Sequence, residues 1–230
     1  MKNPVTRYFD NWANSYDETM RGMAYVEPQR IAEALRPKLA AGARLLDIGI
    51  GTGLTVAPFQ GCGIHITGID ASPGMLEICR AKMLADSLIC HDAALEPMPL
   101  GAQSLDAAIC AGTLEYIADP LPFFQDVARV LKPGGLFAFT FEPTQTAPLY
   151  RRGFLNGCVK TTQHRITVQR FMPRSLWPRV FRKYLFTPEG ITLLIENSGF
   201  AIKSRELFDA YQWQGKQPIP HYFFVAERVE

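Results

Sequence analysis

The sequence lacks the features that mark membrane, secreted and zinc-binding proteins. It has no run of about 18 apolar residues, so no membrane-spanning helix is expected. Residues 1–10 contain no apolar core of a signal peptide, which predicts a cytoplasmic protein. The five cysteines and four histidines are scattered without a C-x-x-C pair, so neither a disulfide framework nor a zinc site is expected. Buried, reduced cysteines are predicted instead.

One long segment lacks acidic residues altogether. Residues 143–188 contain no Asp or Glu but hold nine of the 24 basic residues of the chain. All 22 acidic residues therefore lie elsewhere, and the rest of the chain is net acidic. A basic segment in an acidic body indicates either a binding surface or a solvated face.

Outside this segment, short apolar strands alternate with amphipathic helices. Strands are predicted at residues 43–48, 64–69, 88–90, 105–111 and 136–141. Helices are predicted at residues 27–40, after Ser72-Pro73, from Asp119-Pro120 to Leu131, and from Thr187-Pro188 to near Gly199. Residues 200–207 and 222–228 are strand-like and could pair as a hairpin. The alternation predicts an α/β fold with a parallel sheet, formed by one domain over residues 1–230 with an insertion at 144–186.

The first predicted strand runs into a glycine-rich turn, DIGIGTG at residues 47–53. Glycines at such a turn let a ligand approach the backbone, and the helix that follows offers free N–H groups. The spacing G-x-G-x-G differs from the dinucleotide fingerprint G-x-G-x-x-G. S-adenosylmethionine needs no phosphate cradle, and its ammonium group could bind Asp47. The same glycines could also form a tight loop without a ligand.

Acidic residues follow the next two predicted strands. Asp70 ends the second strand, where a carboxylate can accept both ribose hydroxyls. Asp92 follows the third strand, where it could accept a hydrogen bond from the exocyclic amine of adenine. Each also has a plainer interpretation, Asp70 as a helix cap before Ser72 and Asp92 as a solvated loop residue.

Together these motifs resemble a known family. LLDIGIGTG, TGIDASPGML, HDAALEPMPL, SLDAAICAGTLEYI and LKPGGLFAFTFE resemble the successive motifs of class I S-adenosylmethionine-dependent methyltransferases. YFDNWANSYDETM resembles the N-terminal segment of the small-molecule (methyltransferase domain 11/25-like) branch, and is most similar to predicted methyltransferases that occur alone or fused to TPR repeats. KYLFTPEGITLLIENSGF and KQPIPHYFFVAER resemble the end of that fold. The resemblance covers residues 5–142 and 184–228.

The resemblance implies a fold and a cofactor site. The fold is a Rossmann-like seven-stranded sheet of order 3-2-1-4-5-7-6, with strand 7 antiparallel and helices on both faces. The cofactor is S-adenosyl-L-methionine. Its expected contacts are Asp47, Gly49, Gly51 and Gly53 at the methionine half, Asp70 at the ribose, Asp92 and Ala93 at the adenine, Ala111, Gly112 and Leu114 on the inner side, and Tyr8, Trp12 and Tyr16 above it. Ala71 and Met75 are further expected contacts of the cofactor. Tyr8, Trp12 and Tyr16 could instead form a hydrophobic staple for an N-terminal helix.

The catalytic residue stays open at this point. Many members of the family carry a histidine after the fourth strand, where this chain has Glu115-Tyr116. Methyl transfer depends mostly on alignment, and a base is needed only for a neutral hydroxyl or a carbon acid. Glu115, Tyr116, Tyr16 and His221 are the candidates, and no metal is expected.

The insertion at 144–186 follows the fifth strand at the edge where ligands bind in such sheets, so we expect it to form a lid over the acceptor. Its aromatic residues could wall an apolar pocket: Tyr150, Phe154, Phe171, Trp177, Phe181, Tyr184 and Phe186. Arg151, Arg152 and Arg165 could bind an anionic group of the acceptor. Tyr150 is a further candidate contact of the acceptor. The favoured acceptor is small, hydrophobic and anionic, methylated on oxygen or carbon, or carried by an acidic carrier protein. The segment could also be a solvated amphipathic lid, with residues 177–184 packing as a helix.

Two other classes of function remain open. A basic stripe with aromatic residues suits an RNA or DNA methyltransferase, but there is no Asn-Pro-Pro-Tyr motif after the fourth strand and no appended RNA-binding module, so a nucleic-acid partner is not favoured. The chain could also bind S-adenosylmethionine without catalysis, or bind NAD, although the glycine spacing disfavours NAD.

Overall fold

The computed structural model describes residues 3–151, 160–171, 180–213 and 216–229. The helices are α1 (Pro4–Gly22), α2 (Glu27–Leu35), α3 (Pro73–Ala81), α4 (Pro120–Val130) and α5 (Pro188–Glu196). The strands are β1 (Arg44–Ile48), β2 (His65–Asp70), β3 (Ser87–Cys90), β4 (Leu105–Cys110), β5 (Leu131–Phe141), β6 (Lys160–Thr161), β7 (Arg165–Phe171), β8 (Val180–Phe186), β9 (Phe200–Trp213) and β10 (Gln217–Arg228). Short 3-10 helices span Arg36–Lys38, Ala57–Phe59, Leu114–Tyr116 and Thr144–Arg151.

Seven strands form the main sheet, in the order β3-β2-β1-β4-β5-β10-β9. Strands β1 to β5 pair in parallel, whereas β10 is antiparallel to both β5 and β9. Counted within this sheet alone, the order is 3-2-1-4-5-7-6 with an antiparallel seventh strand. The Rossmann-like prediction is therefore confirmed, and the strand numbers differ only because β6, β7 and β8 intervene along the chain.

Four helices begin where a cap residue and a proline meet in the sequence; at the start of α1, Asn3 Oδ1 accepts a hydrogen bond from Val5 N. The side chains of Ser72, Asp119 and Thr187 accept hydrogen bonds from backbone N–H groups at the starts of α3, α4 and α5. The helix predicted at 27–40 is shorter than expected, because α2 ends at Leu35 and continues as a 3-10 turn. Pro37 lies in that turn and has no N–H to extend the α-helical ladder.

The sheet carries an apolar core on each face. On one face α4 and α5 pack against the sheet through residues such as Phe124 and Ile191, and on the other α2 and α3 pack through residues such as Leu35 and Leu76. Successive residues of β4 alternate between the two cores, with Ala108 in the first and Ile109 in the second. The sheet is buried on both faces, as expected for parallel strands covered by helices.

Strands β6, β7 and β8 form a separate antiparallel sheet within the 144–186 segment. Ala147, Val168 and Leu185 form a small core beneath it. The alternative interpretation of residues 177–184 as a helix is wrong for residues 180–184, which belong to β8. The β-branched and aromatic residues of that run suit a strand, and pairing with β7 satisfies its backbone groups.

Among the described residues, no helix has the combined length and apolar character needed to cross a bilayer. The described cysteines are free: Cys62, Cys79, Cys90 and Cys110. Cys79 and Cys110 are buried as predicted, but Cys62 is half-buried and Cys90 is exposed. Cys90 differs because it ends β3, which lies at the edge of the main sheet.

Candidate functional site: one cavity at the carboxyl edge of the sheet

A cavity of about 350 Å³ lies where the parallel strands end. Its floor is formed by the turns that follow β1, β2, β3 and β4, and its roof is formed by α1. The structure brings most of the expected cofactor contacts into its lining: Gly49, Gly51, Asp70, Ala71, Met75, Asp92, Ala93, Ala111, Gly112, Tyr8, Trp12 and Tyr16. Asp47, Gly53 and Leu114 do not line it.

The three glycines of the first turn have different surroundings. All three have positive φ, which disfavours other residues. A Cβ at Gly49 would lie 2.1 Å from Thr113 Oγ1, and one at Gly53 would lie 2.8 Å from Leu84 Cδ1. At Gly51 the nearest atom to a Cβ would be Gly49 O, at 3.9 Å. Gly49 and Gly53 are therefore needed for close packing, whereas Gly51 leaves room in the cavity for a ligand.

Two carboxylates at this edge, Asp70 half-buried and Asp47 fully buried, differ in how they are bonded. Asp70 accepts hydrogen bonds from Gly51 N and Ser72 N, both at 2.8 Å. Burial raises the pKa of Asp70 to about 6, and these two N–H groups oppose the rise. Asp47 is fully buried in β1, two residues before Gly49. Neither of its oxygens has a hydrogen-bond partner among the described residues. Burial, and then the negative charge of Asp70, raise the pKa of Asp47 to about 8.

Helix α1 covers the cavity with an aromatic face. Tyr8, Trp12 and Tyr16 are spaced four residues apart and share one side of the helix. The rings of Trp12 and Tyr16 meet edge to face, with centroids 4.8 Å apart. The helix is joined to the floor by polar contacts, since Asn3 Nδ2 donates to Asp92 Oδ2 at 3.0 Å and Asp10 Oδ1 accepts from Gly74 N at 3.0 Å.

The far end of the cavity holds a buried carboxylate–histidine pair. His221 Nδ1 is hydrogen-bonded to Glu27 Oε1. Glu27 Oε2 accepts from Tyr25 Oη at 2.7 Å and from Thr140 Oγ1 at 3.0 Å. His221 Nε2 is buried without a hydrogen-bond partner among the described residues. The nearest carboxylate oxygen to that nitrogen is Glu115 Oε1, at 3.9 Å. His221 Nε2 and Glu115 Oε2, which also has no hydrogen-bond partner among the described residues, are thus the polar atoms at this end that are available to a ligand.

A second buried pair lies beside the first. Lys183 Nζ of β8 binds Glu142 Oε2 at the end of β5, and the backbone N–H of Glu142 donates to Glu115 Oε1 at 2.9 Å. Lys183, Glu115 and His221 all line the cavity. The 144–186 segment therefore contributes a buried lysine to the site and joins it to the main sheet through an ion pair.

The charges of this cluster control one another. Burial disfavours the charged form of every member, but Glu27 and its neighbouring carboxylates raise the pKa of His221 above its usual value. The His221 imidazolium in turn lowers the pKa of Glu27, and Lys183 lowers the pKa of Glu142. For Glu115 burial prevails and its pKa is raised.

Three members of the cluster offer the geometry of a cation site. Glu115, Glu142 and His221 each place one ligand-type atom within 4.8 Å of the others. The Lys183 ammonium already binds Glu142, however, so a divalent cation at this point would face a positive charge at short range. The cations that balance these carboxylates are Lys183 and His221.

The remaining predicted residues lie apart from this cluster or outside what is described. Tyr116 lines the cavity and its ring meets Phe9 of α1 edge to face. Arg165 does not line the cavity, since its guanidinium donates to Ala118 O and lies over the Tyr184 ring. Arg152, Phe154 and Trp177 lie outside the described residues, as do the side chains of Tyr150, Arg151, Phe171 and Phe181. Tyr184 and Phe186 pack in the core, so the aromatic walls among the described residues come from elsewhere.

The sequence interpretation missed Glu27, Thr140, Glu142 and Lys183. Glu27 had a detectable signal, because it lies four residues before Ile31 and thus on the apolar face of its helix. Glu142 follows directly on the buried strand β5. Lys183 gave no signal, since its partner is distant in the chain.

Comparisons with known proteins agree with this geometry. Residues 46–139 match the family described as Methyltransferase domain. Demethylmenaquinone methyltransferase of Clavibacter sepedonicus is 32% identical over 154 residues, which cover 65% of this chain and 62% of that protein. Ubiquinone biosynthesis O-methyltransferase of Xanthomonas oryzae is 36% identical over 111 residues, 46% of each chain.

A solved structure shares the fold over most of the chain. An S-adenosylmethionine-dependent methyltransferase from Methanosarcina mazei superposes with a TM-score of 0.70 at 19% identity, covering 85% of this chain and 97% of that one. By contrast, this chain spans less than two thirds of the length of the two curated relatives.

Proposed function

We propose that this chain, whose core is a class I S-adenosylmethionine-dependent methyltransferase domain, transfers a methyl group to a small, largely apolar acceptor. One observation carries the proposal: a single cavity is lined at one end by the glycine turn, Asp70 and Asp92, and at the other by the unpaired Nε2 of His221. The first end suits a nucleoside with an amino-acid tail, and the second suits an acceptor.

The residues present fit S-adenosyl-L-methionine. Gly51 leaves space at the turn, and Asp70 presents a carboxylate to the cavity where ribose hydroxyls would lie. Asp92 and Ala93 would contact the adenine, with the aromatic face of α1 above. The Asp47 carboxyl does not line the cavity, but it has no partner among the described residues and lies just before the turn, so the ammonium group of the ligand would favour its ionised form. When bound, the donor supplies a methyl group on a positively charged sulfur that leaves as a neutral thioether.

The rest of the cavity indicates the acceptor class. Aromatic side chains wall it, namely Phe9, Trp12, Tyr116 and Tyr211, and its charged groups away from the expected cofactor contacts belong to the end cluster. A flat ring that carries a hydroxyl group matches this arrangement, because the ring would lie among aromatic walls and the hydroxyl would reach the cluster. The names of the two curated relatives, which refer to demethylmenaquinone and to ubiquinone biosynthesis, favour an acceptor of this kind.

The residues of the 144–186 segment that were predicted to bind an anionic acceptor are not the ones found in the described cavity lining. Within the described lining, that segment contributes Lys183, which is bonded to Glu142. Recognition of an anion by Arg151, Arg152 and Arg165, with Tyr150, and delivery by an acidic carrier protein remain predictions. The same holds for the role of the segment as a lid.

The proposal is tested by incubating the protein with S-adenosyl-L-methionine and a panel of acceptors. The panel contains phenols and catechols, quinols, aromatic and aliphatic carboxylic acids, amines, acyl-carrier-bound acids and RNA. Release of S-adenosylhomocysteine is measured by mass spectrometry. We expect turnover with hydroxylated aromatic rings. Turnover with RNA alone, or with none of the acceptors, would contradict the proposal.

Asp70 offers a test of the cofactor end. Asp70→Ala is expected to weaken the binding of S-adenosylhomocysteine about 10- to 100-fold, since charge-assisted hydrogen bonds contribute about 1.5–3 kcal/mol. Asp86→Ala is the matched control, because Asp86 also accepts a backbone N–H, from Ile66 at 2.7 Å, but lies away from the cavity. Calorimetry should show weaker binding in the first variant and unchanged binding in the second. Equal affinities in both folded variants would remove Asp70 from the site.

A further inference from the structure

The carboxylate–histidine pair at the end of the cavity has the layout of a base held in one orientation. His221 lies in the first half of β10, next to the residues that pair with the end of β5, so it reaches the carboxyl edge of the sheet. Its Nδ1 is bonded to Glu27, while its buried Nε2 has no hydrogen-bond partner among the described residues and lines the cavity. A buried unpaired nitrogen is costly unless a ligand uses it.

Glu27 is itself held in place by two hydroxyl groups. Tyr25 and Thr140 both donate to its Oε2, so its Oε1 points to His221 Nδ1. Thr140 also accepts a hydrogen bond from the backbone N–H of Gly112 at 3.0 Å, and Gly112 lines the expected cofactor end. The Thr140 side chain and the Gly112 backbone therefore connect the pair to the turn that follows β4.

We propose that His221 is the general base of this methyltransferase, that Glu27 is its positioning residue, and that the acceptor is a hydroxyl compound that must lose its proton. The inference rests on the proposed function. As the acceptor oxygen bonds to the methyl carbon, the carbon–sulfur bond breaks with its electron pair passing to sulfur, and the hydroxyl proton passes to His221 Nε2. The imidazolium that results is stabilised by Glu27, and the proton is released to solvent after the product leaves.

The charged groups around His221 set its working range. Burial opposes the imidazolium, whereas Glu27 of α2, Glu115 after β4 and Glu142 after β5 favour it. Lys183 of β8 adds a positive charge that is paired with Glu142. Tyr211 of β9 meets the imidazole ring edge to face, with centroids 5.6 Å apart. Since the neutral imidazole is the active form, the rate should fall as the pH drops through a pKa above the ordinary value of 6.5.

The first test follows the histidine without any acceptor. The chain has four histidines, so their imidazole signals can be titrated by NMR in the unliganded protein and assigned with His221→Gln. We expect the His221 signal to titrate above pH 6.5, and to titrate at a lower pH in Glu27→Gln. A His221 signal that is indifferent to Glu27→Gln would overturn the pairing.

The second test is kinetic and uses phenols of graded acidity. His221→Gln is expected to lower kcat about 10²- to 10⁴-fold for a weakly acidic phenol, and less for a nitrophenol that is already ionised. Affinity for S-adenosylhomocysteine should stay within about threefold of the wild type by calorimetry, which also confirms folding. His65→Gln is the control, because His65 is exposed at the start of β2 and outside the cavity.

Each outcome of these tests decides a different point. An equal loss for all phenols in His221→Gln, or wild-type kcat, would overturn the role of base. Loss of wild-type activity with EDTA and its return with Mg²⁺ would assign the cluster to a metal ion and also overturn it. Failure of the wild type to bind S-adenosylhomocysteine would instead contradict the proposed function. A wild type that binds this ligand but methylates only carboxylates or amines would leave the proposed function intact and refute the base.

Discussion

Asp47→Asn should stabilise the unliganded protein and at the same time weaken its binding of S-adenosylhomocysteine about 10- to 100-fold. Both effects have one cause, since the Asp47 carboxyl is fully buried and neither oxygen has a hydrogen-bond partner among the described residues. Asparagine would also be unsatisfied there, but an unpaired charged group costs more to bury than an unpaired neutral one, which costs about 1–3 kcal/mol, so removing the charge is favourable. A gain of about 2 kcal/mol corresponds to a Tm increase of about 4–8 °C for a chain of this size.

The pH dependence of this stabilisation has a definite sign. The pKa of Asp47 rises from its ordinary 3.8 to about 8 on folding. Below pH 3.8 the group is protonated in both the folded and the unfolded state, and the stability present there is progressively lost as the pH rises to about 8. The advantage of Asp47→Asn over the wild type should therefore be small at pH 4.5 and largest at pH 8.5. Thermal unfolding at these two pH values measures it.

Asp106→Asn is the control for this prediction. Asp106 accepts hydrogen bonds from Lys132 and from Arg44 N, which outweigh its burial and lower its pKa. Its replacement should cause a slight loss of stability and leave ligand binding unchanged. A loss of stability in Asp47→Asn would show that the carboxyl has a structural partner, and unchanged ligand binding by that variant would show that the carboxyl does not act on the ligand.

Lys183→Met should strongly destabilise the protein. Lys183 is buried and its ion pair with Glu142 joins β8 to the end of β5. Removing the lysine leaves a buried carboxylate next to Glu115, and breaking such a pair costs about 3–5 kcal/mol. A Tm decrease of about 6–20 °C is expected in thermal unfolding.

Two further variants distinguish the ion pair from general packing. The double variant Lys183→Met with Glu142→Met should recover most of the lost stability, because no unpaired charge is left. Lys203→Met removes a half-exposed partner of Glu227, at 3.0 Å, and should change the free energy of unfolding by less than about 1 kcal/mol. If the double variant were as unstable as the single one, the contribution of Lys183 would come from its packing.

Local sequence signals predicted the main sheet because they need no distant partner. The apolar runs of β1, β2 and β4 end within one residue of their predicted positions, since a buried parallel strand is apolar on both faces. The starts of α3, α4 and α5 follow from a cap residue beside a proline. The acids that end β2 and follow β3 reach the cavity because the carboxyl ends of parallel strands share one edge.

The proposed acceptor end could be predicted only in part, because it depends on long-range pairing. Glu115 and His221 were candidates from the sequence, whereas Glu27, Glu142 and Lys183 were not. Glu27 and His221 lie 194 residues apart and meet only when β10 inserts beside β5. The strands β7 and β8 were missed because their pairing partner, rather than their own periodicity, decides their conformation. Arg165 was proposed as an anion ligand from composition, but its guanidinium is engaged by Ala118 O and the Tyr184 ring.

The central claim is that the glycine turn of this chain binds S-adenosylmethionine, and calorimetric titration of the wild type tests it most directly. S-adenosylhomocysteine should bind with one site per chain, and NAD should give no heat of binding under the same conditions. The absence of binding by S-adenosylhomocysteine, or binding of NAD in its place, would contradict the account.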